Sequence, residues 1–296
     1  MSKIFVLGSI NVDLVICGPR LPRPGETVLG VEFFQANGGK GANQAVAAAR
    51  LSHNPVTFLA AVGDDSFGRD SLAALSQENL DCQFIKTDPN LATGVALIMV
   101  DAKGENCISV ASGANLALTY KTIEVAIESC SPGDVVLACL ESPLETVATA
   151  VRRAKQRGAT TILNPAPADV RMMDDDLLDS IDVLTPNVVE LQALTGFEDK
   201  ARALDQTRQL PCDVIVTMGA EGCFISMDGE TNVIPANHVE VVDTTAAGDA
   251  FSGALAVAIS EGKSLRDAAV WANRAASISV TRLGAQPSLP HKDDLI

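Results

Sequence analysis

Apolar positions along this chain follow two rhythms. Ile4 to Leu7 is an unbroken aliphatic run that ends in Gly8-Ser9-Ile10-Asn11-Val12-Asp13, and it predicts a first buried strand. From residue 134 onward, short aliphatic runs alternate with longer amphipathic ones. Val135 to Cys139, Thr160 to Leu163, Ile181 to Thr185 and Val214 to Thr217 read as strands with helices between them. This alternation predicts an α/β fold, a doubly wound and mostly parallel sheet with helices on both faces. The helix after residues 135–139 is expected to start with Ser142 as N-cap, Pro143 at the first helical position and Glu145 three residues after the cap, and to end at Gly158.

The second rhythm is strict alternation. Leu29, Val31 and Phe33 alternate like a strand with one covered face, behind a turn centred on Pro24-Gly25. Residues 93–112 read as a hairpin whose turn carries Gly104. The two extended pieces predict a small β layer beside the main sheet, with a helix from about Ala42 to Leu51 between them in sequence. No repeat or low-complexity linker divides the chain, so residues 1–296 are expected to form a single domain.

Composition narrows the chemistry. The chain is 47% hydrophobic but only 4% aromatic, so its core is built from Ala, Val, Leu and Ile, as suits strands covered on both faces. A net charge of −15 argues against nucleic acid as a partner. It leaves room for one phosphorylated ligand, held by a helix N-terminus or a metal ion. Seven scattered cysteines without a CxxC pair suggest reduced thiols and no zinc site, and three distant histidines make a His-based centre unattractive. No basic and apolar leader and no apolar run of about 18 residues is present, so a soluble, cytoplasmic protein off the membrane is expected.

In doubly wound sheets, ligands bind beyond the C-terminal ends of the strands. After the first strand, Asn11 and Asp13 lie two apart and point to one side of an extended chain. They offer sugar hydroxyls an amide and a carboxylate; an ordinary polar turn explains them as well. In Asn37-Gly38-Gly39-Lys40-Gly41-Ala42-Asn43 the glycines would let a ligand approach the backbone while Lys40 and Asn43 reach it from a helix start. The order of residues fits neither a Walker A loop nor a dinucleotide fingerprint, and a tight loop with a solvated lysine stays open. Asn187 and Glu190 are either a capping box or the surroundings of a nucleotide phosphate and its hydrated Mg²⁺. Thr217, Gly219 and Gly222 are either a nucleotide-facing turn or a plain connection between strands.

The segment from Val242 to Gly253 is the most specific. Ala246, Ala247 and Gly248 lead into a helix with Phe251, Leu255, Ala258 and Ile259 on one face. The N–H groups from Ala246 to Asp249 are expected to be free and convergent, forming an anion hole at the positive end of the helix dipole. Asp249 puts a carboxylate at the same point. A base beside an anion hole is what phosphoryl transfer to an alcohol requires. The plainer alternative has Asp249 complementing the dipole and Asp243 capping a turn.

Taken in order, several stretches resemble the ribokinase-like (PfkB) carbohydrate kinase family. They are residues 8–13, Pro24-Gly25-Glu26-Thr27, residues 38–49, Thr93-Gly94-Val95-Ala96, Leu140-Glu141-Ser142-Pro143, Asn164-Pro165-Ala166-Pro167-Ala168, Thr185-Pro186-Asn187, residues 243–249 and Gly284-Ala285-Gln286-Pro287. The resemblance spans nearly the whole chain. It implies that Asn11, Asp13, Gly39, Lys40, Asn43 and Glu141 bind a sugar, with Asp249 as catalytic base. It implies ATP contacts at Asn187, Thr217, Gly219, Gly222, Gly248 and Asn273, with Glu190 organising Mg²⁺ through water. Asp243, Thr245, Ser279, Arg282, Gly284 and Ser288 would surround a monovalent cation, K⁺. The extended pieces, about 13–35 and 92–112, would be a β lid that also forms a homodimer contact. The implied reaction is ATP-dependent phosphorylation of a primary hydroxyl of a small furanose, D-ribose first. Kinases of 2-deoxyribose, of another free sugar or of a nucleoside are alternatives, as is an inactive sugar-binding regulator.

Overall fold

A computed structural model describes residues 2–174 and 176–295. In chain order the first half holds β1 (Ile4–Leu7), β2 (Asn11–Cys17), β3 (Glu32–Gly38), α1 (Lys40–Leu51), β4 (Val56–Gly63), α2 (Ser66–Leu75), β5 (Leu80–Asp81), β6 (Ile85–Asp88), β7 (Gly94–Val100), β8 (Asn106–Ala111) and α3 (Tyr120–Glu128). The second half holds β9 (Val135–Cys139), α4 (Leu144–Gln156), β10 (Thr160–Asn164), β11 (Val183–Leu184), α5 (Val188–Thr195), α6 (Lys200–Gln206), β12 (Asp213–Thr217), β13 (Cys223–Met227), β14 (Glu230–Ile234), α7 (Ala247–Ser260) and α8 (Leu265–Ser279).

The main sheet runs β14-β13-β12-β11-β10-β9-β1-β4-β5, with β6 also paired to β4. Every pairing from β12 to β5 is parallel, and β13 and β14 close one edge antiparallel. β1 lies between β4 and β9, so all four of its side chains are buried. Ile4 and Val6 join the apolar cluster that holds α1, α7 and α8, while Phe5 and Leu7 join the cluster of α3, α4 and α5 on the other face. This is the doubly wound arrangement that the aliphatic runs predict.

The small β layer is a four-stranded sheet, β3-β2-β7-β8, with β2 and β7 parallel. Its hairpin turn places Gly104 at φ 81°. The expected covered face is not covered: Leu29 and Val31 lie before β3 and are 84% exposed, and Phe33 is 63% exposed. The alternation is real, but among the described residues nothing covers Leu29, Val31 and Phe33.

The start of α4 also differs from expectation. Pro143, not Ser142, is the N-cap and makes no side-chain capping bond, while the buried Ser142 hydroxyl has no partner among the described residues. Proline fixes φ near the value a helix entry needs, so the chain turns there without a polar cap. Gly158 follows the helix at φ 85°, as expected. Among the described residues no helix is long and apolar enough to cross a membrane.

Candidate active site

α1 and α7 approach unusually closely, and that approach assembles the centre. A Cβ on Gly253 would lie 2.7 Å from both Ala47 Cβ and the Gln44 carbonyl, so only glycine allows the crossing. It carries Asn43 and Gln44 to Asp249, in the first turn of α7. Asn43 Nδ2 donates to Asp249 Oδ2 at 2.9 Å, and Gln44 Nε2 donates to Oδ1 at 3.0 Å. Gln44 Nε2 also donates to Asn164 Oδ1 at 2.9 Å, and Asn164 Nδ2 donates to the Thr185 carbonyl at 2.8 Å. Burial pushes the Asp249 carboxyl above its ordinary range, against the Lys40 charge and the two amide donors.

The loop before α7 is sharper than the sequence suggests. Ala246 is left-handed at φ 60°, a strained conformation for a residue with a Cβ. The Ala247 N–H is not free, because it donates back to the Thr244 carbonyl at 3.3 Å. The N–H groups of Ala246, Gly248 and Asp249 have no acceptor among the described residues, so of the four groups expected to be free only that of Ala247 is not.

A second group gathers where β1 meets β2. Glu141, just after β9, accepts from Ser9 Oγ, from the Lys40 N–H at 3.0 Å and, weakly, from Asn11 Nδ2 at 3.5 Å. Asn115 Nδ2 donates to Asn11 Oδ1 at 2.8 Å and holds the Asn11 amide in place. Asp13 stands on the same face of β2 as Asn11. Its carboxyl is raised to about 6 by burial and by the charges of Glu141 and Asp249.

The glycines here serve a purpose other than the expected one. A Cβ on Gly39 would sit 2.7 Å from the Asn11 nitrogen, and one on Gly41 would sit 2.3 Å from the Ser9 nitrogen. They let the helix start press against the chain's own residues 8–11, more than they expose backbone to a ligand. Gly39, at φ 92°, also makes the turn into α1.

Two cavities share Lys40. One, of about 360 Å³, is lined by Asn11, Asn115 and Glu141 and is roofed by Val110 of the small sheet. The other, of about 200 Å³, is lined by Asn187, Glu190, Thr217, Gly248 and Asp249. Burial would lower the Lys40 pKa, but the charges of Asp249, Glu141 and Glu190 raise it overall, so the ammonium is secure.

Asn187 and Glu190 form the reciprocal capping box: Asn187 Oδ1 accepts from the Glu190 N–H, and Glu190 Oε2 accepts from the Asn187 N–H, both at 2.8 Å. The same residues line the second cavity, so the capping box does not take them out of it. Burial raises the Glu190 carboxyl. Thr217 is bridged to Asn187 at the strand ends. Gly219 and Gly222 lie outside this cavity lining, in the turn from β12 to β13, where a Cβ on Gly222 would lie 2.0 Å from the Ile234 carbonyl. Asn273 is turned to the Pro235 carbonyl at 2.8 Å.

Beside the α7 loop, Asp243 accepts from Thr245 N–H and Oγ at 2.9 and 2.7 Å and from the Gly284 N–H at 2.8 Å. Burial opposes ionisation there, but these donors hold the carboxyl below its ordinary range. Arg282 is paired with Asp294, and Ser279 and Ser288 are buried with hydroxyls bonded to the Ala276 and Ala285 carbonyls. Among the described residues no cluster of three His, Cys, Asp or Glu can hold a metal.

Sequence reading assigned no role in the site to Gln44, Asn115, Asn164 or Ser9. Gln44 had a signal, as one of two adjacent amides, with Asn43, in the alanine-rich run 42–49. Asn115 had none, because its partners Ile10 and Asn11 are about a hundred residues away in the chain.

The family model for pfkB family carbohydrate kinases matches residues 1–292. The chain is 41% identical over 302 residues to a ribokinase of Haemophilus influenzae, covering 100% of this chain and 97% of that protein. It is 37% identical over 294 residues to a deoxyribokinase of Salmonella typhi, covering 97% and 95%. The solved structure of Arabidopsis thaliana ribokinase complexed with ribose and ATP superposes with a TM-score of 0.85 at 33% identity, covering 100% and 98%.

Proposed function

Because the chain belongs to the pfkB family of carbohydrate kinases and is a phosphotransferase acting on a sugar hydroxyl, we propose that its acceptor is D-ribose and its donor ATP. The observation that carries this reading is the pair of cavities that share Lys40, with Gly248 and Asp249 lining the second of them. Asn11, Asp13 and Glu141 bind the sugar hydroxyls, together with Lys40, Asn43 and the close turn at Gly39. Asp249 takes the proton from the primary hydroxyl as that oxygen attacks the γ-phosphorus of ATP, the bond from that phosphorus to the bridging oxygen breaks and ADP leaves. The N–H donors and Lys40 stabilise charge on the transferring group. The nucleotide lies along Asn187 and Thr217, toward Gly219, Gly222 and Asn273.

Mg²⁺ fits beside Glu190, whose capping bond uses Oε2 while Oε1 remains available to an ion's water shell. An ion held there would supply neutralisation of the phosphate charge. K⁺ fits near Asp243 and Thr245, because Asp243 is ionised yet held by neutral donors only. The facing segment of Ser279, Arg282, Gly284 and Ser288 adds backbone oxygens. The small sheet acts as a lid over the sugar and excludes water. Its exposed Phe33, Phe34, Leu97 and Ile108 support a homodimer contact, and seven free cysteines support a cytoplasmic setting.

A coupled ADP-release assay over D-ribose, 2-deoxyribose, other free sugars and nucleosides, in K⁺ and in Na⁺, tests the reading. Fastest turnover with ribose is expected. Faster turnover with 2-deoxyribose would move the assignment to the Salmonella typhi relative's substrate, and sugar binding without ADP release would favour a regulator.

A further inference from the structure

We propose that Gln44 is a positioning residue for this reaction: its side-chain amide fixes the plane of the Asp249 carboxylate and so the direction from which Asp249 accepts the hydroxyl proton. The inference rests on Asp249 being the base. Gln44 is fully buried in the face of α1 that meets α7. Its Nε2 carries two hydrogens, and both are used, one on Asp249 Oδ1 and one on Asn164 Oδ1. Its Oε1 is buried without a partner among the described residues.

That asymmetry is informative. A flipped amide would set its carbonyl against two acceptor oxygens, so only the observed orientation is compatible with the surroundings. Burying an unpaired carbonyl is unfavourable, and methionine would fill the same space without it. The glutamine is therefore present for its two N–H groups. Asn164 cannot turn away, because its own amide donates to the Thr185 carbonyl at the end of β11. The orientation of a sheet backbone carbonyl thus passes through Asn164 and Gln44 to Asp249. Asn43 holds the other oxygen, so each carboxylate oxygen keeps one lone pair free and the hydroxyl has a defined approach.

The titratable groups around Asp249 are Lys40 at the start of α1, Asp13 on β2, Cys139 and Glu141 at the end of β9, and Glu190 on α5, the Cys139 thiol being kept neutral by burial. Substitution at Gln44 leaves all of them in place. The test compares Gln44→Met, Gln44→Glu and Asp249→Asn with the native enzyme, reading kcat against pH at saturating sugar and ATP, sugar Kd and thermal stability. In Gln44→Met, kcat is expected to fall by about 10²-fold while sugar Kd stays within about threefold. The acid limb of kcat moves to higher pH, because a carboxylate that loses a donor holds its proton more tightly. Gln44→Glu, close to isosteric, places a second carboxyl beside the base and shifts the limb further; it carries the test if the methionine variant does not fold.

A kcat within about twofold of native, or a loss of kcat with the acid limb unmoved, overturns the positioning role. An active Asp249→Asn variant overturns the base assignment instead. An inactive Asp249→Asn with a native-like Gln44→Met overturns this inference alone.

Discussion

The Asp13 carboxylate occupies the space that a side chain at position 38 would need: a Cβ on Gly38 would lie 2.3 Å from Asp13 Oδ2 and 2.4 Å from Oδ1. Gly38 pairs with Asn11 across β2 and β3, so Asp13 leans along the pleat toward the neighbouring pair. Gly94 serves Asn11 in the same way, since a Cβ there would lie 2.2 Å from Asn11 Oδ1. Both polar side chains thus have a glycine on an adjacent strand. Gly38→Ala is expected to displace Asp13 and weaken sugar binding by about 1.5–3 kcal/mol, the value of a hydrogen bond to a charged group. Calorimetric titration with ribose checks this, and ATP affinity serves as the control that should not change.

Asp13 is also expected to make sugar binding depend on pH. Its carboxyl titrates at about 6 in the folded protein against an ordinary 3.8, because burial and the charges of Glu141 and Asp249 disfavour ionisation. The ionised form accepts from two hydroxyls, so ribose affinity is expected to fall as pH drops through about 6. Stability runs the other way. The folded state holds this proton more tightly than the unfolded state, so stability is lost as pH rises from 3.8 to about 6. Asp13→Asn should raise Tm above that window, leave it unchanged below pH 3.8 and remove the pH dependence of ribose binding. Parallel melting and titration series at several pH values distinguish this from a purely structural effect.

Asp249→Ala removes the base while the Gly248 N–H and Lys40 remain. Loss of a general base typically removes about 10²–10⁴-fold in rate, so kcat should collapse while sugar affinity changes less. Single-turnover phosphorylation at saturating ribose reads the chemical step directly. A near-native rate would sink the assignment.

Asp243 joins the loop before α7 to Gly284 and is ionised without a cationic side chain bonded to it among the described residues. Replacing Na⁺ by K⁺ is expected to raise kcat in the native enzyme, and Asp243→Ala should abolish the difference while leaving ribose affinity within about threefold, as suits a site outside the sugar cavity. Persistence of the K⁺ response in the variant would place the cation elsewhere.

Much of this architecture was legible along the chain. Fully buried parallel strands need continuous aliphatic runs, so β1, β9, β10 and β12 could be read directly. The turn into α7 could be read because a helix N-terminus is a local object. Its small residues, Asp249 and the following apolar face lie within a few residues of one another. The cap of α4 and the uncovered small sheet were misjudged for one reason: local pattern shows what a side chain can do, and neighbours determine what it does.

What the sequence determined by itself was the buried strands β1, β9, β10 and β12, the start of α7 and the presence of a carboxylate in its first turn, because each shows in a pattern a few residues long. Tertiary structure alone decided which groups hold that carboxylate. Asn43 and Gln44 reach Asp249 across 206 and 205 residues of chain, and only because Gly253 lets α1 and α7 close to contact. Such a partnership leaves no periodicity in the sequence, since it is set by helix crossing and backbone clearance, which belong to the packed molecule.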